Sequence, residues 1–199
     1  MRLEEVASRY PRVAAVLKLV RAVMPRDFVH GLPHVLRVTQ LALKLAEGRS
    51  DVDVEVLTLA ALLHDLGRAF SGRHHAEVSA EVAEELLRSM GLSDEKLEKV
   101  VNAILSHSYS LGVKPRSIEA EILSDADKLD ALGAIGIARV FGLSALWGRG
   151  LEESLEHFKD KILKLPKLMY TDRGRRLATD RVRIVEEFLK ELERELAEL

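Results

Sequence analysis

Apolar residues recur along this chain at the three- and four-residue spacing of helices, and no segment sustains the apolar/polar alternation of a strand. The pattern predicts an all-α protein. Residues 13–23 form an amphipathic stretch that stops before Pro25. Pro33 suits the first turn of a helix in which Val35, Val38, Ala42 and Leu45 share a face, with Gly48 at its end. Residues 54–63 are apolar nearly all round, Glu55 and Thr58 excepted, as in a helix buried on most faces, and Gly67 marks its stop. A helix over 75–90 closes at Gly91, and Ser93 can cap another whose stripe is Leu97, Val100, Val101, Ile104 and Leu105. Residues 118–132 read as helical. The glycines at 133, 136, 142, 148 and 150 then predict a looser stretch, and a charged helix over 180–198 closes the sequence.

With 199 residues, 47% of them hydrophobic, the chain suits one domain with a real core. Thirty basic against 32 acidic side chains, a formal net charge of -2, give no footprint of dedicated nucleic-acid binding. Basic character is local, concentrated in residues 159–183. The first residues are acidic where a secretory signal would be basic and then apolar, and no apolar run has the length of a membrane span. A cytoplasmic protein without a membrane partner is expected. There is no cysteine, so any metal must be held by nitrogen and oxygen.

Six of the seven histidines fall between positions 30 and 107, each near a predicted helix boundary: His30, His34, His64, His74, His75 and His107. A lone buried histidine is commonly a satisfied core residue, and a lone aspartate at a helix end a cap. The set says more than its members. In "ALLHDLGR", residues 61–68, His64 and Asp65 close the most apolar helix of the chain. A carboxylate buried there carries a desolvation cost that a cation offsets. Imidazole and carboxylate donors without thiolate suit manganese, iron, cobalt, nickel or zinc; magnesium is less natural.

Three segments, "DFVHGLPHVLRV", "ALLHDLGR" and "LSDADKLDALG", resemble in order and spacing the HD-domain metal-dependent phosphohydrolases. The resemblance implies a single HD-type helical bundle over residues 1–199, with its metal-binding core at about 27–133 and a C-terminal helical extension over about 134–199. It implies His34, His64, Asp65 and Asp127 as metal ligands. Helical periodicity by itself places Asp130 nearest the stripe of Ile122, Ala126, Leu129 and Gly133, with Asp125 a further neighbour; the likeness of "ADKL" to the family selects Asp127. "HAEVSA" and "ILSH" match positions that in some branches hold a second metal, so His75 and His107 either complete a two-ion site or contact substrate phosphate.

A divalent ion at such a site lowers the pKa of a bound water and polarises a phosphoryl oxygen. The expected activity is hydrolysis of a small phosphorylated metabolite, foremost a nucleotide or nucleoside polyphosphate, by a metal-activated water. Asp65 and Arg68 are the expected catalytic groups. Arg68, His30, Arg37 and Lys128 are the expected substrate contacts, arginine being suited to bidentate phosphate binding and lysine to a point charge. Asp27 and Asp130 are candidates to orient ligand imidazoles. "TDRGRR" reads as a loop presenting arginines, or the basic segment is a solvated face. Two other functions share these residues: a di-iron oxygenase of the same fold with six His/Asp ligands, and a non-catalytic metal-stabilised domain that binds a nucleotide or a protein. Apolar side chains around Phe141, Leu146 and Trp147 offer a homodimer contact or a lid.

Overall fold

The structure, a computed structural model, describes residues 1–70, 74–108 and 111–198, and among them all regular elements are helical. The chain divides into two compact units, Met1–Asp127 and Lys128–Leu199.

The first unit contains α1 (Leu3–Arg9), α2 (Pro11–Val23), α3 (Leu32–Leu45), α4 (Val54–Leu63), α5 (His75–Ser89), α6 (Asp94–His107) and most of α7 (Ile118–Asp130). Its centre is α4, whose residues from Glu55 to Leu63 are all buried and against which α2, α3 and α6 pack. Each fully buried leucine or valine here stabilises the fold by about 1.5–3 kcal/mol. Asp53 starts α4 by accepting the backbone N–H groups of Glu55 and Val56 at 3.0 and 3.1 Å. Glu55 is buried, and two cations answer its charge: Arg12 at 3.0 Å and Lys96 at 2.8 Å. Arg12 also donates to the carbonyls of Met90 and Gly91, which ties α2 to the turn between α5 and α6.

Two close backbone approaches shape the ends of these helices. Before α3, a Cβ on Gly31 would lie 2.3 Å from the carbonyl oxygen of Pro25 and 2.4 Å from that of Asp27, so the entering loop is folded hard onto the helix start. After α4, the chain turns through a 3-10 segment, Leu66–Ala69, and a Cβ on Gly67 would lie 2.3 Å from the carbonyl oxygen of His75. The Gly67 N–H donates to the Ser79 hydroxyl at 2.8 Å. The turn that carries the His-Asp doublet is thereby seated on the first turn of α5.

The second unit contains the last residues of α7 together with α8 (Gly133–Leu146), α9 (Leu151–Asp160), a 3-10 segment (Ile162–Leu168) and α10 (Asp172–Leu196). Phe158 is fully buried and stands 5.8 Å from Phe141, which in turn meets Phe188 edge-on at 5.8 Å. Asp130 and Arg139 form a buried ion pair at 3.0 Å, and Arg181 donates to the Leu129 carbonyl.

The sequence pattern is altered in three places. The short helix α1 was not expected; it is seated by Leu3 and Val6, too few apolar positions to show a period. The glycine-punctuated stretch after residue 132 is two regular helices, because burial of Val140 and the contacts of α8 with α10 outweigh the low helix propensity of glycine. The "TDRGRR" segment is no loop: Thr171 caps α10 by accepting the Gly174 N–H at 3.0 Å, and the arginines lie in its first turns. Gly67→Ala is expected to overpack the seat on His75 and lower unfolding stability by about 1–3 kcal/mol. A denaturant midpoint equal to that of the wild type would show that the turn does not rest on α5.

Candidate metal centre

Two helices of the first unit end on a buried histidine in the same way. His64 follows the last residue of α4, and its Nδ1 lies 2.8 Å from the carbonyl oxygen of Ala61; His107 ends α6, with its Nδ1 2.5 Å from the carbonyl oxygen of Ile104. A carbonyl oxygen can only accept, so in each ring Nδ1 carries the proton and Nε2 presents a lone pair. Each Nε2 lies 3.9 Å from an Asp65 carboxylate oxygen.

His34 comes from the first turn of α3, where Gly31 and Pro33 set the helix start, and its ring is buried. Its Nε2 is 3.3 Å from His64 Nε2 and 3.5 Å from Asp65 Oδ2. His75 opens α5, with Nε2 3.4 Å from Asp65 Oδ1. Asp65 is therefore shared. Oδ2 faces His34 and His64, Oδ1 faces His75 and His107, and within each triad the ligand atoms lie within 4.8 Å of one another.

Asp65 Oδ1 is buried and has no hydrogen-bond partner among the described residues. Burial by itself would raise the Asp65 pKa, but the hydrogen bond from His34 and the charges of His64 and Arg68 outweigh it and hold the carboxyl well below its usual range. An ionised, buried oxygen without a donor is costly unless a cation meets it. The donor set is imidazole nitrogens and one central carboxylate, which fits a divalent transition ion better than a hard ion such as magnesium.

Asp127 borders the first triad, its Oδ1 3.5 Å from His34 Nε2 and its side chain 28% exposed. Of the neighbouring aspartates, Asp130 pairs with Arg139, and Asp125 is fully buried. Arg68 lies in the 3-10 turn and donates Nε to Asp65 Oδ2 at 2.7 Å and Nη2 to His75 Nε2 at 3.2 Å. The His30 ring stands edge-on to His34 at 6.0 Å. Arg37 donates to the Phe28 carbonyl at 3.1 Å, and the Lys128 ammonium lies over the Tyr170 ring at 5.2 Å. Asp27 accepts the backbone N–H groups of Val29 and His30, so it builds the loop before α3. His74 is exposed and pairs with Glu77. Ser79 was not singled out from the sequence; its place four residues after His75, on the same helical face, was the available signal.

The HD domain family model matches residues 31–132. The Bacillus subtilis protein YpgQ is 34% identical over 175 residues, which cover 84% of this chain and 84% of YpgQ. The crystal structure of Bacillus subtilis YpgQ in complex with ADP superposes with a TM-score of 0.79 at 30% identity, covering 93% of this chain and 95% of that one. The structure of a protein described as a predicted HD superfamily hydrolase, from an uncultured Thermotogales bacterium, gives a TM-score of 0.73 at 33% identity over 98% of this chain and 99% of that one. Among the described residues no single helix is long and apolar enough to cross a membrane.

Burial, opposed by Asp65 and reinforced by His107 and His34, lowers the His64 pKa from 6.5 to about 4. Burial also lowers that of His75, against the pull of Asp65 and with the push of Arg68. An unfolded chain takes up these protons near pH 6.5, whereas the folded site resists them. Below pH 6.5 the unfolded state binds more protons, so stability falls with pH, for His64 by up to about 3 kcal/mol on reaching pH 4. Asp65, held ionised in the folded state, adds to this slope only at its acid end, as pH approaches the ordinary value of 3.8 at which the unfolded chain takes up its proton. Chelator-treated protein is expected to lose thermal stability steadily from pH 6.5 to 4, and His64→Gln to flatten that slope. An unchanged slope in the variant would contradict the assignment.

Proposed function

The chain belongs to the HD domain family, and from that premise we propose that it is a metal-dependent phosphohydrolase acting on a small phosphorylated metabolite, foremost a nucleotide or nucleoside polyphosphate. The observation that carries the reading is Asp65, a buried carboxylate shared between two histidine pairs and paired with one arginine. His34, His64, Asp65 and Asp127 would hold one divalent ion, and Asp65, His75 and His107 a second. A divalent ion held there supplies a nucleophile at neutral pH and neutralises charge on a phosphoryl group.

The chain's own residues supply the rest. His64 and His107 are locked by their Nδ1 bonds to α4 and α6, which holds their Nε2 atoms in place without further reorganisation. Burial keeps His64 unprotonated at neutral pH and available as a donor. Arg68, bonded to Asp65, presents a planar fork suited to phosphate oxygens, and His30 flanks His34 on the side of the loop before α3. Support for a nucleotide comes from YpgQ, whose crystal structure was obtained in complex with ADP. Four histidines and two aspartates also make the donor set of a di-iron oxygenase, and Arg68 on the shared carboxylate favours the phosphate-handling alternative.

Elemental analysis of the purified protein, then a phosphate-release screen of nucleotides and sugar phosphates with manganese, cobalt, nickel and magnesium, tests the reading. A bound transition metal and metal-dependent phosphate release are expected, with Asp65→Asn losing at least about 100-fold in rate. Absence of metal, oxygen uptake by the ferrous protein in place of phosphate release, or an Asp65→Asn variant as active as wild type would each refute it.

A further inference from the structure

The two halves of the cage are not equivalent. On one side, the donors facing Asp65 Oδ2 are His34 and His64, whose Nε2 atoms are 3.3 Å apart. Entry of a cation there moves the proton between them to another ring nitrogen and takes the second lone pair of Oδ2, whose first is held by Arg68 Nε at 2.7 Å; both ring nitrogens stay clear of the guanidinium. On the other side, His75 Nε2 already accepts from Arg68 Nη2 at 3.2 Å. Guanidinium has no lone pair and does not deprotonate, so the His75 lone pair that a cation needs is occupied by a permanent positive charge. The same arginine is anchored through Nε on Asp65 Oδ2 at 2.7 Å. A second cation in this half must displace it or bind against its repulsion.

Arg68 is not sealed in. Its side chain is 24% exposed, whereas that of Asp65 is 3% exposed, so the guanidinium sits at the rim with its partner inside. A phosphate arriving from solvent offers the fork a doubly bonded partner of its own. Drawing Arg68 onto that anion would uncover His75 Nε2, 3.4 Å from Asp65 Oδ1, and leave that oxygen, with His107 Nε2 at 3.9 Å, ready for a cation.

We propose that Arg68 is a tethered cation that plugs the His75–His107 half of the cage, so that the protein binds one divalent ion readily and a second only when a phosphate group draws Arg68 away. The inference rests on the metal-cage reading. It makes the second ion and the phosphate cooperative, and by linkage each strengthens the other by the same factor.

The test is titration of the chelator-stripped full chain with Mn(II), with free ion counted by electron paramagnetic resonance and inorganic phosphate present or absent. For wild type, one tight equivalent and a second at least about tenfold weaker are expected, the second tightening about tenfold with phosphate. Arg68→Met is expected to bind two equivalents of comparable affinity without phosphate and to show no phosphate effect. Two equal sites in phosphate-free wild type, a second site in wild type indifferent to phosphate, or an Arg68→Met variant whose second site is no tighter would overturn the plug. The phosphate arm on the wild type needs no variant to fold. Wild type that binds no Mn(II) at all would bring down the cage reading as well, whereas binding without dependence on Arg68 or phosphate would remove this inference alone.

Discussion

The burial of the Asp65 carboxylate at the end of an apolar helix is the constraint on which the rest of the first unit depends. An ionised carboxyl removed from water is unfavourable by several kcal/mol unless opposite charge and donors surround it. Among the described residues the surroundings are four imidazoles and one guanidinium, brought in from the ends of α3, α4, α5 and α6 and from the turn after α4, and one oxygen has no donor. The helix ends converge on a point that these residues do not neutralise fully, which is how a site for a cation differs from an internal ion pair such as Asp130 with Arg139.

That convergence needs rigidity, and rigidity comes from plain packing. The buried α4 fixes the direction in which His64 and Asp65 emerge, and the carbonyls of Ala61 and Ile104 fix two ring orientations. Close backbone approaches at Gly31 and Gly67 leave no room for a side chain and hold the α3 and α5 starts against the loops that precede them. Stability and function meet in these contacts: the packing that seats the 3-10 turn on His75 also brings that ring within 3.4 Å of Asp65.

How much of this was legible in the sequence follows from the range of each interaction. The all-helical class, the course of α4 and the placing of His64 and Asp65 at its end were readable because apolar period and chain punctuation are local. That His34, His75 and His107 would gather around the same carboxylate came from resemblance in motif order, since contacts between residues 10 to 42 positions apart on different helices leave no periodic trace. Sharing of Asp65 by two triads, and the bond from Arg68 to His75, depend on side-chain geometry that no spacing encodes. The regularity of α8 escapes a local reading because its glycines look like punctuation where packing prevails, and the early start of α10 because the Thr171 cap has no periodic trace.

The shared carboxylate is tested most directly by diffraction from crystals grown with Mn(II), using anomalous differences to locate the ions. A peak is expected between Asp65, His34 and His64, beside Asp127, and, with phosphate present, a second between Asp65, His75 and His107. Crystals with manganese bound elsewhere, or with no anomalous density beside Asp65, would contradict it.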